Sequence, residues 1–445
     1  MKSLTKMNAF AWAFGLLYTI ASLSVHAQAP LTVSLDEAIR LSVMNSKYLK
    51  ISQSKVDLAG LNLRQIKENQ LPSLNVSGSY LRLNTPNLAL QLGQKTSNEN
   101  PGAAQPIHVN QAMYGMVNAS MPLFAGFRFK YGLEAARYLE QAVKLDSDHD
   151  REAIIMNTTA AFGNLYKAHQ AVVLVKESLK REQERVAEFT NREKNGLLAR
   201  NDLMKAQLQE SNTELALLDA ENDLKITALQ MNLVLGLPEN TDIVANPASF
   251  GIIAEAGTAS DWEQKALSNR KDLAANLIRQ KAATSDIKVA EADKYPSLAL
   301  TAGYVALNVP GFISVPNAMN AGLGIRYDVA SLWRSHTKIE QTRTKVSQLQ
   351  TTQGMLLDQL HLEVNTAYYN YVLSKRKIEV YGKAVEQANE NFRITKNKYD
   401  NTLVATTELL NADVAQVQSR INYEASKADA LVAYKKLQQV SGQIE

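Results

Sequence analysis

The chain spells one arrangement twice, and this duplication limits what it can fold into more than any other feature. "LPSLNVSGSY" from Leu71 and "YPSLALTAGY" from Tyr295 each place Pro-Ser-Leu before a short alternating run that ends in Gly-x-Tyr. Further on, "NGLLARNDLMKA" from Asn195 aligns with "NTLVATTELLNA" from Asn401 at an offset of 206. The same offset pairs Ala161 with Ala367, Asn164 with Asn370, Met121 with Tyr327 and Gly236 with Gly442. A self-match of this length predicts two units of one kind in tandem, residues 28–245 and 246–445. The Pro-Ser-Leu pair is offset by 224, so the first copy carries 18 extra residues between Tyr80 and Met121. That stretch includes "TPNLALQLGQKTSNENPGAAQP", whose Asn, Gly and Pro content predicts a surface loop.

Each copy runs through the same elements. A helix opens on a capping-box pattern, Ser34 with Glu37 and Ser260 with Glu263. It pauses near Asn45 and Asn269 and ends before Pro72 and Pro296, because proline offers no N–H and disfavours helix at the preceding residue. A strand follows, at about 73–82 and 297–306. Leu74, Val76, Gly78 and Tyr80 share one face, as do Leu298, Leu300, Ala302 and Tyr304. Second strands fit about 112–124 and 319–328; in the latter, Ala321, Leu323, Ile325 and Tyr327 oppose Gly322, Gly324, Arg326 and Asp328. The alternation suits a barrel wall between lipid and water and equally a soluble hairpin packed on helices.

The helices that follow are long. No proline occurs from about Phe127 to Glu193 or from about Leu332 to Tyr399, enough for helices of about 100 Å. Second helices fit Asn201 to Leu235 and Thr407 to Val440. Leu410, Val414, Val417 and Ile421 step at coiled-coil spacing, and frequent alanine permits close helix approach.

The start of the chain reads as an export signal. Lys2 and Lys6 precede an apolar core from Ala9 to Leu23, and Val25-His26-Ala27 places small residues at −3 and −1, which predicts a signal peptide over 1–27; an uncleaved anchor is the alternative. The absence of cysteine excludes disulfides, thiolate catalysis, Cys-ligated zinc and a lipid-modified N-terminal cysteine. A net charge of only +4 gives no sign of a nucleic-acid partner.

Four strands cannot close a transmembrane barrel, which needs about eight, and an open edge cannot stand in lipid. Membrane entry would therefore require several chains to pool their strands. With that, the twofold repeat, the two Pro-Ser-Leu strands, "MPLFAGFR" (Met121–Arg128) and the paired "NGLLARNDLMKA" and "NTLVATTELLNA" segments resemble the TolC-like outer-membrane efflux and secretion channels, over essentially the whole mature chain. "YDVASLWR" (Tyr327–Arg334) departs from the commoner Pro-Leu-Phe form of its junction.

The resemblance implies a mainly α chain with a small β part, and a homotrimer. The trimer would be a 12-stranded barrel in outer-membrane lipid continuing into a 12-helix periplasmic α-barrel. It implies a passive exit duct of a tripartite pump or type I secretion system, docked on a periplasmic adaptor and an inner-membrane transporter. The other reading is a periplasmic coiled-coil adaptor or scaffold without a barrel.

No catalytic, cofactor or metal constellation is expected, so the chain reads as no enzyme. Asp146, Asp148, His149 and Asp150 lack the glycine turn of a calcium loop and read as a solvated helix face. "KESLKREQER" reads as charged coiled-coil surface. By resemblance, a periplasmic gate falls on Asp202, Tyr399, Glu408 and Asn411. The family's latch arginine falls on Val404, with Arg200 close by in sequence. One ring of three Glu408 carboxylates per trimer would favour cations. Asp202 and Glu408 would equally serve as helix-start charges facing the dipole. The turns Gly196, Leu197, Leu198, Ala199 and Thr402, Leu403, Val404, Ala405 would meet the adaptor.

Overall fold

A computed structural model describes residues 31–84, 87–88, 107–250, 255 and 257–444. The expected signal peptide and most of the expected surface loop lie outside the described residues. The chain is mostly helical. It divides into two compact units, one of residues 1–46, 152–263 and 364–445, the other of 47–151 and 264–363. Among the described residues no helix is long and apolar enough to cross a membrane.

The first unit is built on a small parallel pair, β1 (Leu31–Val33) with β6 (Ile243–Ala245), in register Leu31 to Ile243 and Val33 to Ala245. Helix α1 (Leu35–Asn45) opens on Ser34, whose hydroxyl accepts the Glu37 N–H at 3.3 Å, the cap its sequence predicts. Helices α3 (Arg128–Lys194), α4 (Arg200–Leu235), α7 (Ser331–Asp400) and α8 (Thr406–Val440) contribute their portions within this unit. Val33, Leu35, Ile39, Ile155, Phe162, Leu165, Met231, Leu235 and Ala428 form its core. Phe250 stacks on Phe162 at 5.4 Å and on Tyr166 at 4.0 Å. Buried Thr158 donates to Ser42 Oγ at 2.8 Å, so α1 meets α3 without leaving a polar group bare.

Of the stripe Leu410, Val414, Val417 and Ile421, α8 buries Leu410 within one chain and half-buries Val417 and Ile421. Val414 is 46% exposed, and the buried set is Leu409, Leu410, Ala412, Ala428, Ala430, Leu437 and Val440. Alanine carries much of this intrachain contact because it lets backbones approach.

The second unit holds an antiparallel sheet in the order β2 (Ser73–Arg82), β5 (Gln111–Ala125), β7 (Ser297–Val309), β8 (Ile313–Arg326). Residues 87–88 (β3) and 107–108 (β4) form a separate short pair. The register aligns like faces across all four strands. Val76 lies opposite Val117, Val117 opposite Tyr304, and Tyr304 opposite Met319; Leu298 and Leu300 face Ile325 and Leu323. This face is apolar and open, with Val76 75%, Met319 81% and Ile325 76% exposed. The other face carries Ser73, Ser120, Thr301 and Gly322 in one row and Asn75, Asn118, Gly303 and Asn320 in another. Pro122 sits beyond the last β2 partner, where β5 bulges against β7, a place that needs no donor.

Several boundaries differ from expectation: β7 runs on to Val309 and β8 begins at Ile313, not at 306 and 319. Strand β8 stops at Arg326 instead of Asp328, because Asp328 turns the chain into α7: its carboxylate accepts the Ala330 N–H at 3.1 Å and its carbonyl the Ser331 N–H at 3.0 Å. The second capping box is Thr258 with Asp261, not Ser260 with Glu263; each side chain accepts the other's N–H, at 3.3 and 3.0 Å. Glu263 instead accepts from Asn365. The helical pause expected near Asn269 is present, at Arg270 between α5 (Ala259–Asn269) and α6 (Lys271–Glu291). Buried Arg270 forks onto Asp272 and reaches Glu363 at 2.6 Å. Burial alone would raise the Asp272 carboxyl, but the Arg270 guanidinium holds it below its usual range.

Helix α2 (Lys47–Glu68) contains Tyr48 and Ser52, whose hydroxyls donate to Asp150 at 3.2 and 2.7 Å. Asp146 is paired with Arg279. Two of the three aspartates expected to face solvent therefore bind neighbouring side chains. Among the described residues no cluster of His, Asp or Glu is placed to hold a metal ion.

Candidate functional site

The candidate site occupies the helix ends where α3 turns into α4 and α7 into α8. Helix α3 closes with Gly196 N–H on the Glu193 carbonyl and Leu197 N–H on the Arg192 carbonyl, both 2.8 Å. Helix α7 closes the same way, Thr402 N–H on Tyr399 at 2.9 Å and Leu403 N–H on Lys398 at 2.8 Å. This closure needs a left-handed residue at the turn. Gly196 takes φ +73 without penalty, whereas Thr402 takes φ +59, costing a β-branched residue about 1–2 kcal/mol. The two turns push Leu197 and Leu403 outward, 77% and 73% exposed. Leu198 and Val404 are half-buried; Ala199 and Ala405 are exposed.

Beneath the turns, Phe189, Leu203 and Ala206 form a small core with Val186, Leu198 and Tyr399 around it. The Tyr399 ring stacks on Phe189 at 5.7 Å. Asp202, partly buried, receives Lys205 Nζ at 3.1 Å. Tyr399 borders this core, whereas Asp202 is bonded to Lys205, and no hydrogen bond joins the two within the chain; the Tyr399 hydroxyl and the Arg200 guanidinium have no partner among the described residues. Glu408 and Asn411 are exposed. Ala199 and Ala405 hold the N-cap positions and supply no side-chain bond. Asp202 and Glu408 thus stand in the first turn as charges facing the dipole, not as hydrogen-bonding caps.

The segment "KESLKREQER" is only in part the charged surface that its composition suggested: Lys176, Glu177, Lys180, Gln183 and Glu184 are exposed, but Glu182 is buried and Arg181 and Arg185 turn inward. Asp413, fully buried, accepts from Arg185 at 2.5 Å and Arg181 at 3.4 Å, and Glu182, 1% exposed, pairs with Arg185 at 3.1 Å. Sequence reasoning missed this cluster because its centre, Asp413, lies 228 residues from Arg185. The one local sign was Asp413 standing beside buried Ala412 and Leu410.

Burial pushes the Glu182 carboxyl up to about 7; Arg185 opposes this, and the neighbouring Asp413 charge adds to it. Because the folded pKa is raised, the folded state holds the extra proton between about 4.5 and 7, and stability falls as pH rises through that window. The apparent melting temperature should drop between pH 5 and 7.5, and Glu182→Gln should flatten that slope. Parallel slopes for the two proteins would contradict the assignment.

Solved structures place this fold among the outer-membrane channels. The chain superposes on the Campylobacter jejuni outer membrane channel CmeC with a TM-score of 0.77 at 16% identity, covering 95% of this chain and 91% of that one. VceC from Vibrio cholerae gives 0.73 at 17% identity, covering 92% and 96%. The open-state MtrE channel of Neisseria gonorrhoeae gives 0.71 at 16% identity, covering 95% and 94%. No curated protein sequence matches the chain. Residues 38–237 and 262–443 match the profile of the outer membrane efflux protein family, and the chain belongs to that family.

Proposed function

We propose that three copies of the chain form a passive exit duct in the outer membrane. Three sheets would close one 12-stranded barrel, and the long helices would continue as a 12-helix periplasmic tunnel, each repeat supplying a hairpin of both. The observation that carries this reading is the sheet face led by Val76, Met319 and Ile325. It is apolar across four strands and exposed, as a lipid-facing wall must be.

The exposed Leu197 and Leu403 on matching turns support docking of a periplasmic adaptor, which would couple the duct to an inner-membrane transporter in efflux or type I secretion. Opening would splay the helix ends. Asp202 and Tyr399 are the proposed latch between neighbouring hairpins, Glu408 the charged ring and Asn411 its uncharged neighbour. Val404 supplies no arginine; exposed Arg200 is the cation available nearby.

The test starts with extraction, in which the protein should leave outer membranes in detergent and resist salt. Release by salt would favour a peripheral scaffold. In planar bilayers, Asp202→Ala should then raise conductance. A hydrogen bond to a charged group contributes about 1.5 kcal/mol or more, enough to move a closed–open balance about tenfold. Unchanged conductance would remove Asp202 from the latch.

A further inference from the structure

We infer that two joints left bare in one copy of the chain close the seam between neighbouring copies: the α2–β2 joint (68–73) of one seats on the β8–α7 joint (326–334) of the next. This deepens the trimer proposed above and rests on it. The template for the contact lies inside the chain. Where β5 turns into α3, the turn packs on the segment that leads into β7. Arg128 pairs there with Asp293, Phe127 meets the Tyr295 ring edge to face at 6.4 Å, and Gly126 lies against Ala292 and Tyr295.

The duplication carries this contact to its counterpart, because repeats present like faces to their neighbours. At the offset of 206, Phe127 and Arg128 become Trp333 and Arg334; at the offset of 224, Asp293 and Tyr295 become Asn69 and Leu71. Neither half of this second contact is covered within one chain, where Trp333 is 65% and Leu71 61% exposed. The two halves stand at opposite edges of a sheet ordered β2–β5–β7–β8. Three strand spacings, about 14 Å, keep them apart, so only a second copy can join them. Strands β2 and β8 run in opposite directions. A neighbour's β2 can therefore add antiparallel to β8, with its Ser73 at the Arg326 end. The two joints differ from each other, so the contact is head-to-tail and can close a ring.

Charge agrees with this pairing. Asp293 is engaged by Arg128 and, at 2.7 Å, by Lys338, and the Asp328 carboxylate accepts the Ala330 N–H. Exposed Arg334 is left without a carboxylate among the described residues. On the other joint Asn69 stands where the template has Asp293, and Glu68 beside it is exposed and has no partner among the described residues. The carbonyl end of α2 adds to the negative side. Lys67 is turned about 100° around α2 from Glu68, so Glu68 can meet Arg334 while Lys67 faces elsewhere. Helix α7 begins at Ser331, one turn ahead of the place where α3 begins in the alignment, so Trp333 reaches the neighbour's Leu71 from the helix itself.

The chain has no cysteine, so introduced thiols can be joined without background. Leu71→Cys with Trp333→Cys, extracted in detergent and treated with a short bis-maleimide, should run as covalent dimers and trimers on a denaturing gel. Each single variant should run as monomer. Joining within one chain would overturn the seam. So would thiols that take a maleimide label yet stay unjoined in protein that native mass spectrometry shows to be trimeric; Trp333 would then belong to the membrane surface. Charge reversal gives a second measurement if the cysteine pair fails to assemble. Arg334→Glu should lower the share of trimer several-fold at fixed protein and detergent concentration, and Glu68→Arg in the same chain should restore it. An unchanged share, or no restoration, would count against the seam. Trimeric protein with either result loses only this contact; wild-type protein that is monomeric loses the trimer reading with it.

Discussion

Asp413→Ala is expected to lower stability by about 3–5 kcal/mol, the cost of stranding a buried charge whose partner is removed. Arg185 is 10% exposed and uses Asp413 and Glu182 as its acceptors. Arg181 already has an unsatisfied Nε, so it cannot absorb the loss. Glu182 would remain on Arg185, and its ionisation would become more favourable once the Asp413 charge is gone, with Glu210 still opposing it. Asp413→Asn keeps the shape and one acceptor, so it should cost less. The check is the apparent melting temperature of each variant in the same detergent. Loss of less than about 1 kcal/mol for the alanine variant, within surface ion-pair range, would mean that water reaches the cluster.

Gly126→Ala should be nearly as damaging, and its effect should fall on the sheet. Gly126 sits at φ +61, directly before Phe127 at φ +66. These two left-handed residues turn β5 into α3. A Cβ at Gly126 would stand 2.4 Å from the Ala292 carbonyl oxygen and 3.0 Å from Tyr295 Cβ, both backbone-anchored points that cannot swing aside. Left-handed strain of about 1–2 kcal/mol adds to overpacking of about 1–3 kcal/mol. The turn would have to open, disturbing the edge-to-face contacts of Phe127 with Phe124 at 5.2 Å and Tyr295 at 6.4 Å. The measured quantity is the fraction of protein that reaches outer membranes in a detergent-extractable form. Wild-type yield would show that the turn has slack the geometry does not suggest.

The two cases also mark what the sequence could convey. Gly126 in "AGFR" is of the residue type that tolerates φ > 0, a local sign of the turn that the sequence reading did not use. Pro72 and Pro296 stopped helices for a local reason, and the alternation of Ala321 to Tyr327 described one strand's faces without reference to any other. The strain at Thr402 could also have been read in advance, from its alignment with Gly196. The Asp413 cluster could not. A Lys-Arg-Glu run looks the same on a helix whether its partner is water or an aspartate two hundred residues away, so composition favoured charged coiled-coil surface. The second capping box failed for a smaller reason: Ser260–Glu263 and Thr258–Asp261 are both valid patterns two residues apart, and Glu263 is taken by Asn365, 102 residues away. The gate residues were placed by likeness, and within one chain Tyr399 packs on Phe189 while Asp202 pairs with Lys205.

The outer strands β2 and β8, ten and fourteen residues long, each leave one edge without a partner among the described residues. A long bare edge invites pairing with whatever strand arrives first. Sheet closure between copies would make the yield of finished protein depend on how often chains meet, and on their being shielded until they do. It also has a genetic corollary. A chain with one spoiled edge would still offer a sound edge to its neighbours and so be drawn into assemblies that it then leaves open. In the proposed trimer, with equal expression of sound and spoiled chains, only about one assembly in eight would contain three sound chains and close, so an edge lesion in one allele would be felt through the product of the other.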